Sequence, residues 1–263
     1  MISASYTDAS GLATPSSPLE RGILPALGTV APRVGQSLLG LSSGVARAPD
    51  QPGYTPDCDM FAAGPTVPPA GYPKAPPSCT GFNFWGLIPP STWDAMALSL
   101  EIRVPTNANS FSFQTDFYTY EYPDFICDMY NDFFVVMMEP ELPDLPDGNI
   151  AFDQDGNPIS VNNSFLRVCE PGTHNGRTFT CQLGVTDLNA TGFDGAALCG
   201  GQYAHGATGW LETTVPAPAG EVIKLTFAIW DTGDPTLDST ALIDNFRWSV
   251  EQGVKPETVP VLE

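Results

Sequence analysis

Residues 222–250 read VIKLTFAIWDTGDPTLDSTALIDNFRWSV. Ile223, Leu225, Phe227 and Ile229 recur at every second position, the spacing of a strand with one face buried, and Val222–Trp230 is predicted as that strand. Gly233 and Pro235 then mark an irregular loop, and Thr240–Val250 resumes as a second strand. Asp231, Asp234, Asp238 and Asp244 crowd into this one unit with few basic residues beside them. Carboxylates packed beside apolar strands repel one another and resist leaving water, so a hard divalent cation with oxygen ligands is expected among them. Calcium in a structural role is the first candidate. The spacing is not that of a helix-loop-helix calcium loop, and turn-forming, solvated aspartates are the competing explanation.

The same strand pattern extends outward. Met96, Leu98, Leu100, Ile102 and Val104 alternate with Ala97, Ser99, Glu101 and Arg103, and Phe111, Phe113 and Phe117 continue the theme. Asp132–Met138, DFFVVMM, is apolar on both faces and reads as a central strand, dangerous to solubility were it an exposed edge. Residues 149–161 suggest a hairpin whose turn contains Asp155, Gly156 and Asn157, which explains Asp153 and Asp155 without a metal. Gly35–Gly44, Ser164–Val168 and Gly209–Val215 supply further strands. Between Ala48 and Trp93 proline and glycine dominate, as in GPTVPPAGYPKAPPS, so that region is an irregular excursion. Eight to ten strands, almost no helical periodicity and no internal repeat give an all-β fold, a two-sheet jelly-roll-like sandwich with long Pro/Gly-rich loops. Residues 1–34 are expected as a mobile lead-in or surface arm, 35–250 as the sandwich and 251–263 as a tail.

Ten Lys and Arg face thirty Asp and Glu, a formal net charge of -20. That balance excludes a nucleic-acid binder, which needs a basic face to release counterions. No apolar run is long enough for a transmembrane helix, and MISASYTDASG lacks the basic start and apolar core of a signal peptide, so the chain is expected as a processed product, an excised domain or a protein that stays inside the cell. Cys58, Cys79, Cys127, Cys169, Cys181 and Cys199 form no CxxC pair, and His174 and His205 are the two histidines, which argues against zinc. Six cysteines in loop-like sequence favour three disulfides and an oxidising compartment, extracellular or cell-surface. Short loops favour Cys58 with Cys79 and Cys169 with Cys181, leaving Cys127 with Cys199. Reduced, buried cysteines are the alternative.

Several motifs now stand in order: GQSLLGLSSGVA, LEIRVPTNANSFSFQTDFYTYEYPDFICDMYNDFFVVMM, PDGNIAFDQDGNPISVNNSFLRVC, GWLETTVPA and FAIWDTGDPTLDSTALIDNFRW. Together, across roughly Gly35 to Val250, they resemble the bacterial extracytoplasmic domains called choice-of-anchor L, in a form similar to those of myxobacterial surface proteins. The resemblance implies a β-rich extracellular domain rather than a defined activity. The ending VKPETVPVLE does not read as the sorting tail that such domains precede, so a released protein or an excised domain stays open as an expectation.

A second acidic cluster lies in YEYPDFICDMYNDF. In a jelly roll Glu121, Asn131 or Asp132 is expected to join Asp231, Asp234 or Asp238 around one ion. Trp85 and Trp93 are the candidate platforms for an extracellular glycan, among loop aromatics whose faces stack on sugar rings. Paired carboxylates for glycoside hydrolysis need two groups about 5 to 10 Å apart across the bond, and no such arrangement stands out in the sequence. Neither a GxSxG elbow nor a histidine beside an orienting acid is present. The expectation is a non-catalytic adhesion or ligand-binding module for a glycan or surface protein, calcium-stabilised; a self-associating matrix or filament subunit is the alternative.

Overall fold

The computed structural model describes residues 1–12, 17–56, 64–79, 91–145, 147–174, 177–194 and 205–262. Their strands are β1 (Ser3–Thr7), β2 (Arg21–Leu24), β3 (Leu38–Ser42), β4 (Thr92–Arg103), β5 (Ser110–Thr119), β6 (Phe133–Glu139) and β7 (Ile159–Ser160). After these come β8 (Gly172–His174), β9 (Arg177–Phe179), β10 (Gly206–Ala207), β11 (Leu211–Pro216), β12 (Val222–Thr232), β13 (Ser239–Ser249) and β14 (Glu257–Pro260). One sheet runs β1-β4-β12-β6-β7 and the other β14-β11-β5-β13-β3-β2, with β10 also on β5 and β8-β9 a separate ribbon. Strip away the added edges and the remaining orders are β4-β12-β6-β7 and β3-β13-β5-β11. Renumbered one to eight along the chain, these read 2-7-4-5 and 1-8-3-6, the strand order of a jelly roll.

The alternation read from the sequence explains the layering. Ile223, Leu225, Phe227 and Ile229 of β12 meet Phe111, Phe113 and Phe117 of β5 and Phe134, Val136 and Met138 of β6 in the interlayer core. The other face of β6 is also covered: Phe133 and Val135 pack with Tyr72, Ala228 and Trp230 under the Pro-rich excursion. That double covering is why DFFVVMM is apolar throughout, and it lies between β12 and β7, away from an exposed edge. On the outside of the second sheet, Leu27, Tyr118, Phe193, Trp210 and Leu242 form another cluster.

Residues 1–34 contribute an edge strand to each sheet, with Ser3–Thr7 laddered along Ala97–Glu101 and Arg21–Leu24 along Leu38–Leu41. Ser164–Val168 makes bridges at Val168 alone rather than a strand. The Asp153 carboxylate draws this part of the chain into turns, accepting from the amides of Asp155 (2.9 Å), Asn157 (2.9 Å) and Ser164 (2.7 Å). Asp153 and Asp155 are thus turn residues.

Cys79 is bonded to Cys127 and Cys169 to Cys181. The expected pairings of Cys58 with Cys79 and of Cys127 with Cys199 are therefore overturned, while Cys58 and Cys199 themselves lie outside the described residues. Asn162 supplies the physical reason: its carbonyl accepts from Ser78 Oγ (3.2 Å) and its Oδ1 from the Cys127 amide (2.6 Å), which holds the two half-cystines together.

At the far edge, the Thr213 and Thr258 hydroxyls are hydrogen-bonded at 2.9 Å, both buried. Thr258→Val is expected to cost about 1 kcal/mol. Hydrogen exchange should then quicken in β14 before any other strand; uniform quickening would show that β14 is not a separate edge unit.

Candidate metal centre

Five jelly-roll segments end or begin at one rim. β5 runs out at Thr119 into Glu121, β6 starts just after Asn131 and Asp132, β12 ends around Asp231, β13 starts after Asp238, and β3 ends at Ser42 before Ser43 and Gly44. The ladders enforce the meeting, since Ser239 pairs with Thr119 and Thr240 with both Tyr118 and Ser42. A bulge completes it. Ile229 faces Met96 and Asp231 faces Trp93, so Asp94 and Ala95 oppose the single residue Trp230, with Asp94 at φ 50°.

The result is a buried group of acids. Asp94, Asn131, Asp132 and Asp231 are fully enclosed, and Glu121 and Asp238 nearly so. Asp132 Oδ2 accepts from Ser239 Oγ (2.7 Å) and Oδ1 from the Thr232 amide (3.3 Å), while the Asp132 amide donates to Glu121 Oε2 (3.1 Å). Gly44 leaves the space Asp238 occupies, because a Cβ there would lie 1.7 Å from Asp238 Oδ2. Asp234 sits at the rim, where its Oδ1 accepts from the Thr236 amide and hydroxyl, closing the turn.

Asp231 is the exception to this satisfaction. Neither of its carboxylate oxygens has a hydrogen-bond partner of good geometry. The Ser43 hydroxyl and the Asp132 carboxyl are the groups that give Asp231 some relief, Ser43 Oγ also accepting from the Ser239 amide (2.9 Å). Both amide atoms of Asn131 and Oγ1 of Thr232 are likewise buried without partners. Each such group costs roughly 1–3 kcal/mol, a large share of a typical stability margin.

Electrostatics sharpens the point. Burial, then the charge of Asp132, raises Glu121 well above the usual carboxylate range. Burial raises Asp231 similarly, with Asp132, Asp238 and Asp94 adding to the shift. Burial pushes Asp132 up to about 7, against the pull of its hydrogen bond from Ser239. Three of the ten Lys and Arg are paired elsewhere: Lys74 with Asp147, Lys224 with Glu139 and Arg247 with Glu212.

Of the six expected ligands, Glu121, Asn131, Asp132, Asp231 and Asp238 belong to this buried rim, with Asp234 above it. Asp94 and Ser43 were not foreseen; the one signal for Asp94 was an acid breaking the apolar run into Met96. Among the described residues no group of three or more His, Cys, Asp or Glu is arranged to hold a metal ion. A cation here therefore needs a mixed set, with two carboxylates and neutral oxygens from Asn131, Ser43 or Thr232, as calcium's six to eight oxygen ligands permit.

Trp93 is half-buried, its Nε1 donating to Ser91 Oγ (3.1 Å), and Trp85 lies outside the described residues. No helix among the described residues is long and apolar enough to cross a membrane. No family model matches the chain, and no curated protein or solved structure matches it.

Proposed function

We propose that this protein is a non-catalytic, extracytoplasmic adhesion or ligand-binding module of the choice-of-anchor L kind, whose loop rim is closed by a calcium ion. The observation that carries the reading is Asp231, fully buried among other carboxylates with neither oxygen in a well-formed hydrogen bond. Water can satisfy a hydroxyl, but only a cation or protons also relieve the repulsion between the acids. Asp231 and Asp132 are the charged ligands in this reading, with Asp238 beside them and Asn131 Oδ1 among the neutral ones. Two disulfides fit an oxidising compartment. The enclosure of Glu121 and Asp132 suits an ion better than a glycosidic bond, which must lie between its two carboxyls.

Thermal unfolding in calcium against a chelator tests the ion. At a hundredfold excess over Kd, calcium adds about 2.7 kcal/mol, or roughly 5–10 °C for a chain of this size. Asp231→Asn removes the cost of burying this carboxyl group, so it should melt above the chelated wild type yet gain nothing from calcium. Unchanged melting of the wild type in calcium would sink the site.

A further inference from the structure

We propose that Asn189 is the acceptor for an N-linked glycan, attached while the chain is exported and before it folds. This rests on the extracytoplasmic half of the proposed function and is independent of the ion. Residues 187–191 read DLNAT and residues 162–164 read NNS, so the chain holds two Asn-x-Ser/Thr acceptor triplets. The first also has an acid two places before its asparagine, Asp187, where the second has Ser160. That acid belongs to the longer acceptor pattern of bacterial oligosaccharyltransferases, which bind it through a cationic side chain.

The fold separates the two asparagines. Asn189 closes a single 3-10 turn, Thr186–Leu188, and is exposed. Its carbonyl is turned to the protein, accepting from the amide (3.2 Å) and the hydroxyl (3.1 Å) of Thr29, and its side chain is left at the surface, where a sugar on Nδ2 fits. Asn162 is only 6% exposed; its Oδ1 accepts from the Cys127 amide (2.6 Å) and its Nδ2 is buried. A sugar on that nitrogen would displace packed protein beside the Cys79–Cys127 bond, so a chain carrying one there cannot reach this fold.

Thr191 sets the timing. Its hydroxyl, which a transferase must engage together with the asparagine, is fully buried, donating to the Leu188 carbonyl (2.6 Å) and accepting from the Phe193 amide (3.1 Å). Ala190 stands at φ 56° with its amide on Asp194 Oδ2 (2.8 Å), which locks the triplet in a compact turn. Transfer therefore precedes the closing of this turn. Asn189 Nδ2 forms a bond to C1 of a lipid-pyrophosphate-linked oligosaccharide and the C1–O bond to the pyrophosphate breaks. The lipid pyrophosphate leaves with that electron pair, and one amide proton passes to a base.

The test directs the full chain to a bacterial periplasm with an added leader, alongside a bacterial oligosaccharyltransferase and its lipid-linked oligosaccharide. Intact-mass and peptide mass spectrometry of the nonreduced product should show one glycan, on Asn189, with Asn162 bare. Asn189→Gln, at an exposed position, should fold as before and lose the glycan. Asp187→Ala should lower occupancy about tenfold, the worth of one charge-assisted hydrogen bond. Chain made without the transferase, folded and then given enzyme and oligosaccharide in vitro, should stay bare. A bare Asn189 after export, occupancy that survives Asp187→Ala, or full transfer to the folded chain overturns the inference. The same spectra score the compartment separately: a disulfide-bonded chain with a bare Asn189 loses this inference alone, and a glycosylated chain with reduced cysteines keeps it and loses the oxidising compartment.

Discussion

The Cys79→Ala, Cys127→Ala double variant is expected to unfold about 4 kcal/mol more easily than the wild type, the stabilisation that closing a loop of this length supplies. The bond spans 48 residues, whereas Cys169–Cys181 spans 12 and is expected to contribute about 3 kcal/mol. Alanine rather than serine is the right replacement, because both positions are buried and a hydroxyl would need a partner. The larger effect has a functional side. Cys127 lies on the loop between Glu121 and Asp132, so this bond ties the Pro-rich excursion to the segment bearing half of the acidic rim. The variant should therefore also show a smaller calcium response. Urea midpoints at unchanged slope give the comparison. If opening the 12-residue bond costs as much as opening the 48-residue one, loop entropy is not the cause.

In chelator, the protein should lose stability as pH rises from about 4 to about 7, the reverse of a protein held by salt-bridged acids. Asp132 and Asp116 are each pushed up to about 7, chiefly by burial, from an ordinary value of 3.8. Between those limits the folded chain keeps protons that the unfolded chain has released. The slope of stability against pH is then negative, and the penalty is complete above about 7. Two such groups make the effect several kcal/mol in size. Asp116 separates this cause from general repulsion in an acidic chain. Its charged neighbours are Asp187 and Arg167 rather than the rim acids, and it accepts from the Tyr118 hydroxyl (2.9 Å) and the Thr208 hydroxyl (3.3 Å), so Asp116→Asn should remove its share of the slope and leave the calcium response in place. Melting temperature measured across this range in chelator is the readout. A flat profile, or one that rises with pH, would show that these acids are charged at no cost.

Much of this architecture was legible because burial on a strand leaves a period of two. The alternations at Met96–Val104 and Ile223–Ile229 identified their strands, and an apolar run on both faces of DFFVVMM announced a covered strand. The convergence of the Glu121–Asp132 and Asp231–Asp238 segments followed from jelly-roll topology. What the letters did not carry was long-range pairing. Cys79 finds Cys127 through Asn162, a contact 35 residues from one half-cystine and 83 from the other, while loop length pointed to a nearer partner. The edge strands β1 and β2 have weak patterns because edges are half solvated, so their sequence resembles a loose arm. Asp94 joined the acids through a bulge, which depends on backbone register rather than composition.

The strands nearest the two ends of the chain have a mechanical consequence. β1 is the outermost strand of one sheet and β14 of the other, and β3 packs beside β4, which puts the two on opposite sides of the sandwich. Tension applied through either end would load an edge strand before it reached the eight-stranded body. Each edge strand would then act as a fuse, giving way first and sparing the acidic rim until the load reached the strands that form it.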